Sequence, residues 1–248
     1  MAEDRFSKQA SAYAQFRPEY PQQLFEFLAQ LAPARDVAWD CGTGTGQAAR
    51  SLSPYFKQVL ATDLSAEQIA HAHAPKNVNF QIVQAEKLIV PDSTFDLITV
   101  AQALHWFDLP SFFGLVQRAL KPKGLIAAWG YGFFKITEQV DGILDSYGRE
   151  FLQKYWSTKN MLLINSYRDL PFPFERIEAP PFELKAQWSL ARLKGYLNSW
   201  SATQKYKDEI GRDPFETIRA KVESCWGTPT TLRDVTWRLH ILLGRNSV

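Results

Sequence analysis

The sequence predicts an α/β fold built on a doubly wound, mostly parallel sheet, and two observations carry that expectation. The apolar run Val37-Ala38-Trp39 leads directly into the glycine-rich stretch Asp40-Cys41-Gly42-Thr43-Gly44-Thr45-Gly46. Further short apolar segments then alternate with helix-compatible ones as far as Trp129, the order expected of a parallel sheet covered on both faces. At 248 residues and 46% hydrophobic, the chain can bury one such unit with an insertion, so a single domain over 1–248 is expected rather than two.

The elements follow in order. Three glycines at alternate positions make a turn in which backbone adopts positive φ or lies against a ligand where no Cβ could stand. A dinucleotide fingerprint, G-x-G-x-x-G, needs glycine at position 47, which is Gln47 here, and the third glycine falls instead at Gly46. Phe56 to Ser65 reads as a second strand ending in Asp63, roughly 20 residues beyond Asp40, where a carboxylate can take both ribose hydroxyls of an adenosine group. The alternative for Asp63 is a helix N-cap, a task that Ser65 could perform itself. Val78 to Val83 forms a third strand leading into Gln84-Ala85-Glu86-Lys87-Leu88, and Phe95 to Val100 a fourth leading into Ala101-Gln102-Ala103-Leu104-His105-Trp106-Phe107. Both follow strand C-termini, where open α/β sheets bind their ligands. Lys121-Pro122-Lys123-Gly124 is a turn, and Leu125 to Trp129 the fifth strand.

Beyond Gly130 the pattern changes. A helix is expected over Thr137 to Trp156, strands over Phe174 to Ile177 and Phe182 to Trp188, and helical blocks over Leu190 to Tyr206 and Pro214 to Trp226. The helices within 189–226 are read as a cap insertion. In the tail, Trp237, Leu239, Ile241 and Leu243 fall on one face of a last strand. With eight tryptophans in the chain, most aromatic residues must be core. Trp106, Tyr131 and Trp200 are the better candidates for an acceptor pocket, two because they follow strand ends and one because it lies in the cap.

The D-x-G-x-G-x-G at Asp40 to Gly46, the A-E-x-L turn at Ala85 to Leu88, P-D-x-x-F-D at Pro91 to Asp96 and A-Q-A-L-H-W-F at Ala101 to Phe107 together resemble a known family. They are similar to class I S-adenosylmethionine-dependent methyltransferases, in particular the small-molecule enzymes related to trans-aconitate methyltransferase. The resemblance implies a seven-stranded Rossmann-like sheet closed by an antiparallel C-terminal strand, with S-adenosylmethionine as cofactor and a core over 31–130. It implies that Gly42, Gly44 and Gly46 face the methionine part, that Asp63 and Leu64 face the ribose and adenine, that Ala85 and Glu86 flank the adenine, and that Ala101 closes the floor. A carboxylate such as Asp40 suits the cationic amine of this cofactor better than a phosphate. Many relatives carry an acid immediately before the alanine, where this chain has Gln84. Residues 1–30 resemble the family's N-terminal lid, with Tyr13 and Arg17 as candidates for closing over the cofactor.

Methyl transfer from a sulfonium depends largely on positioning and desolvation. A carboxylate acceptor needs no base; a hydroxyl does, and His105, past the fourth strand, is the best-placed imidazole. Two rivals remain: a non-catalytic S-adenosylmethionine-binding protein, and an NAD-dependent oxidoreductase, which should show the wider glycine spacing. A net charge of +2, without a basic run, argues against a nucleic-acid partner. The start lacks a signal-peptide pattern and no apolar stretch approaches about 18 residues, so a soluble, cytoplasmic protein with a small-molecule methyl acceptor and no membrane partner is expected. Cys41 and Cys225 cannot form a disulfide framework. No metal site is expected: residues two apart on a helix, as His71 and His73 would be, point away from each other.

Overall fold

The computed structural model describes residues 18–168 and 170–247. Tyr13, Arg17 and the start of the expected lid lie outside the described residues. After helix α1 (Gln22–Leu31), the chain alternates through β1 (Val37–Cys41), α2 (Gln47–Leu52), β2 (Gln58–Asp63), α3 (Ala66–Ala70), β3 (Val78–Ile82), β4 (Phe95–Ala101), α4 (Leu109–Ala119) and β5 (Leu120–Gly130). Helices α5 (Glu138–Asp145) and α6 (Thr158–Ile164) follow, then β6 (Glu175–Arg176), β7 (Glu183–Trp188), α7 (Leu190–Asn198), α8 (Ser201–Ile210), α9 (Arg219–Trp226), β8 (Arg233–Arg238) and β9 (His240–Arg245).

The main sheet has seven strands in the order β3-β2-β1-β4-β5-β9-β6. β1 to β5 run parallel, and β9 runs antiparallel to both β5 and β6. Its two faces bury different residues because side chains alternate along a strand. On β5, Leu125, Ala127 and Trp129 join the core that holds Phe25 and Leu28 of α1, while Ile126 and Ala128 join Phe112 and Val116 of α4 on the other side. The order reverses at β1 and β4, whose C-terminal ends therefore open onto a crevice.

A buried acid fastens the opposite end of the sheet. Asp96, fully buried, accepts from the amides of Asp36 and Val37 through Oδ2, each at 2.9 Å, and from Lys121 Nζ through Oδ1 at 2.8 Å. The turn expected at Lys121 to Gly124 is an irregularity within β5. Phe95 pairs with Leu120 and Leu97 with Leu125, so the residues between them leave the ladder, with Lys123 at φ 62°.

Two expectations for the second half are corrected. The helix over Thr137 to Trp156 keeps its N-cap, Thr137, but loosens into a π turn at Ser146–Phe151 and a 3-10 turn at Gln153–Tyr155. The tail is not one strand: β8 pairs with β7 in a separate two-stranded sheet, and after Leu239 the chain continues as β9 in the main sheet. Trp237, Leu239, Ile241 and Leu243 still face one core, so the apolar period crosses the break unchanged. Residues of 189–226 pack on the earlier helical segment, through Tyr147 against Trp200 and both Phe151 and Tyr155 against Tyr206.

Candidate active site

The glycine turn is held from below and from the side. Gly42, Gly44 and Gly46 adopt φ of 67°, 57° and 81°, the left-handed region that glycine enters without strain. A Cβ on Gly42 would stand 2.6 Å from Ala103 Cβ, so the turn and the segment after β4 close on each other only because that atom is missing. Thr43 N donates to Thr62 O at 2.9 Å, and Gly44 N donates to Asp63 Oδ2 at 2.8 Å. Asp63 Oδ1 accepts from Ser65 N at 2.9 Å, while Ser65 caps α3 by accepting from Gln68 N. Asp63 therefore fixes the loop instead of capping the helix.

Above this turn lies a cavity of about 660 Å3 at the C-terminal ends of the central strands. Gly42, Gly44, Asp63, Leu64, Ala85, Glu86 and Ala101 line it, together with Trp106 and Tyr131. Glu86 Oε1 accepts from Asp108 N at 2.7 Å, which ties the turn after β3 to the segment after β4. Sequence reasoning had no signal for Gln68, which lines the same cavity with an Oε1 that is buried and has no hydrogen-bond partner. Gln102 was read only as part of a motif. It sits at φ 58°, a backbone conformation that costs a non-glycine residue stability and gathers at functional sites.

Four expected site residues lie elsewhere. Asp40 is fully buried beneath the turn, where Oδ2 accepts from Thr43 Oγ1 at 2.5 Å and Ala49 N at 3.0 Å and Oδ1 from Thr99 Oγ1 at 2.8 Å. Burial pushes its carboxyl up to about 6, against which those hydrogen bonds pull it down. A carboxylate so enclosed supports the loop and does not face a ligand's amine. Gly46 is spent on packing: a Cβ there would come within 2.8 Å of the Phe80 ring, and the residue does not line the cavity.

His105 and Trp200 line a second, smaller cavity of about 100 Å3. Gln102, Trp106 and Tyr131 border both spaces, so these three residues form the partition between them. His105 Nδ1 is bonded to Tyr167 Oη at 2.9 Å, and burial pulls its pKa down to about 3, leaving a neutral ring at physiological pH. Cys41 is buried and its thiol is pushed up, which makes it inert as a nucleophile. His71 is the C-cap of the short α3 and His73 lies beyond it. Among the described residues no group of His, Cys, Asp and Glu is placed to hold a metal ion, and no helix is long and apolar enough to cross a membrane.

A parallel sheet with a glycine turn after its first strand and an acid ending its second defines a class of α/β proteins that bind adenosyl ligands. The family described as a methyltransferase domain matches residues 39–128. A chain of Dictyostelium discoideum, named as a methyltransferase, is 31% identical over 98% of this chain and 95% of its own length. A solved structure from Anaeromyxobacter dehalogenans, named for the type II methyltransferases, superposes with a TM-score of 0.87 at 37% identity over 93% of this chain and 98% of its own. The chain belongs to the class I S-adenosylmethionine-dependent methyltransferases. S-adenosylmethionine is its cofactor, and the residues present fit it: the turn is a cradle that a Cβ on Gly42 would fill, and Asp63, at the end of β2, lines the same cavity.

Proposed function

We propose that this methyltransferase acts on a small molecule and transfers the methyl group to an oxygen, of a hydroxyl or a carboxylate, by in-line displacement. The observation that carries this reading is the second cavity, which adjoins the larger one across Gln102, Trp106 and Tyr131 and is sized for a small group. In this reading Trp106, Tyr131 and Trp200 hold the acceptor, and the glycine turn, Asp63, Leu64, Ala85, Glu86 and Ala101 hold the cofactor. Bound S-adenosylmethionine supplies an activated methyl group whose departure needs no acid from the protein. The chain's own contribution is alignment and exclusion of water. His105, neutral and anchored by Tyr167, meets the acceptor through its second ring nitrogen; a group with so low a pKa holds a hydroxyl better than it strips its proton. Both cysteines are free thiols, which supports a reducing, cytoplasmic setting.

The test is incubation of the full chain with methyl-labelled S-adenosylmethionine and a panel of small hydroxyl compounds and carboxylic acids. Label is expected in the small-molecule fraction. The His105→Ala variant should keep its cofactor affinity and lose about ten-fold or more in transfer rate, the loss expected from one hydrogen bond to the reacting group. Label carried only by macromolecules would overturn the small-molecule reading, and lost cofactor binding in the variant would overturn the place given to His105.

A further inference from the structure

The segment after α6 is strained where it buries one side chain. Ser166 and Tyr167 stand at φ 62° and 56°, two successive non-glycine residues in the left-handed region. Such backbone is unfavourable for a residue with a Cβ, persists only where its surroundings hold it, and gathers at functional sites. Ser166 N donates to Leu163 O at 2.8 Å and Tyr167 N to Leu162 O at 2.9 Å, which folds the chain back on the end of α6. Tyr167 is thereby buried, in the core that holds Ile126, Ala128 and Leu242.

The phenol so placed meets the ring of His105. Oη lies 2.9 Å from Nδ1, with the ring centroids 6.0 Å apart. Burial leaves the imidazole neutral, so one ring nitrogen carries a proton and the other a lone pair. The bond made at Nδ1 decides which. A phenol O–H is a good donor and its oxygen a weak base, whereas an unprotonated imidazole nitrogen is the stronger base of the two. Tyr167 therefore donates to Nδ1, and the ring's own proton sits on Nε2. His105 borders the second cavity, and among the described residues Nε2 has no hydrogen-bond partner.

We infer that Tyr167 is a positioning residue that locks the proton of His105 on Nε2, so that the ring offers the acceptor's oxygen a hydrogen-bond donor and not a base. The inference rests on the small-molecule reading above and assigns the part of His105 within it. A nitrogen that already carries a proton cannot take another without charging the ring, so His105 holds the acceptor's oxygen and does not deprotonate it. Tyr167 lines neither cavity, so it acts only through the imidazole.

The full chain, isotope-labelled on its histidine rings and saturated with S-adenosylhomocysteine, is read by proton–nitrogen correlation NMR at about pH 7.5, where an imidazole with a lowered pKa is neutral. The signal missing from His105→Ala identifies the ring. His105 is expected to show Nε2 protonated and Nδ1 bare, and Tyr167→Phe, which removes only the hydroxyl, to draw both nitrogens toward tautomer-averaged positions. With methyl-labelled S-adenosylmethionine and the panel compound that takes up most label, Tyr167→Phe should lower kcat about five-fold and leave S-adenosylhomocysteine affinity within about two-fold. His105→Gln is a second variant, because its amide nitrogen donates but takes no proton. It should transfer methyl about three-fold or more faster than His105→Ala. A proton on Nδ1 in the parent, a ring spectrum or kcat that ignores Tyr167→Phe, a kcat that falls only in step with S-adenosylhomocysteine affinity, or a glutamine no better than alanine would each overturn the inference. Failure of the broader reading looks different: no small compound would then take label, and the ring spectra would still decide where Tyr167 places the proton.

Discussion

A carboxylate sealed beneath a glycine turn, as Asp40 is, costs stability once it ionises. Its pKa stands near 6 in the folded chain against 3.8 for the exposed group, because burial outweighs the hydrogen bonds from Thr43, Thr99 and Ala49. The folded state therefore holds a proton that the unfolded state has released, and this group's contribution falls as pH rises from about 4 to about 6. Across that window of about two pH units the loss amounts to about 2 kcal/mol. The carboxyl's acceptors nevertheless fix Thr43 and the start of α2, so the residue shapes the cofactor site from below. Asp40→Asn removes the titration. The difference in stability between the variant and the parent should move in the variant's favour by about 2 kcal/mol from pH 4 to pH 6, read from denaturant unfolding at each pH. A difference that does not vary over that window would show that Asp40 stays ionised throughout.

At the scale of elements, two glycines separate a backbone requirement from mere tolerance. Gly46 starts α2 at φ 81° with the Phe80 ring 2.8 Å from where a Cβ would sit, whereas Gly114 lies in the middle of α4 with nothing within 4 Å. Gly114→Ala should raise stability by about 0.5–1 kcal/mol through the lower entropy of the unfolded chain. Gly46→Ala should lower it by about 1–2 kcal/mol or more from the left-handed backbone alone, and weaken cofactor binding as the turn shifts. Equal effects in thermal unfolding would contradict this assignment. The same logic explains what the sequence made legible. β1 to β5 and the glycine turn announce themselves through apolar runs and a spacing that depends only on neighbours along the chain. α6 buries none of its residues, so it carries no apolar stripe to read. The pairing of β8 with β7 leaves the period of the tail unbroken, and no local pattern reports a change of partner. Which side of the turn Asp40 faces, and that Gln68 and Gln102 keep unpaired oxygens, depends on neighbours distant in sequence. Those features became visible only in three dimensions.

At the scale of the whole molecule, the cap and the sheet share one core. Tyr131 follows β5 and its ring lies 6.2 Å from that of Trp237 on β8, which in turn packs 4.9 Å from Trp188 on β7. The buried cluster runs without interruption from Phe25 on α1 through Trp129 to Trp226 on α9. The chain itself crosses the boundary a second time, since β8 of the small sheet passes through Leu239 into β9 of the large one. Separating the cap would therefore expose apolar surface on both sides and pull on β9, the strand that pairs with β5 in the main sheet, so the two layers should unfold together. Tryptophans report on both, with Trp39 and Trp129 in the sheet and Trp188, Trp200 and Trp226 in the cap layer. Their fluorescence and the far-ultraviolet circular dichroism should follow one coincident transition in denaturant. S-adenosylhomocysteine at about 100 times its Kd should shift both signals together by about 2.7 kcal/mol, because a ligand of the folded state stabilises everything that must unfold with its site. A fluorescence change that precedes the loss of secondary structure and ignores the ligand would show instead that the cap melts on its own.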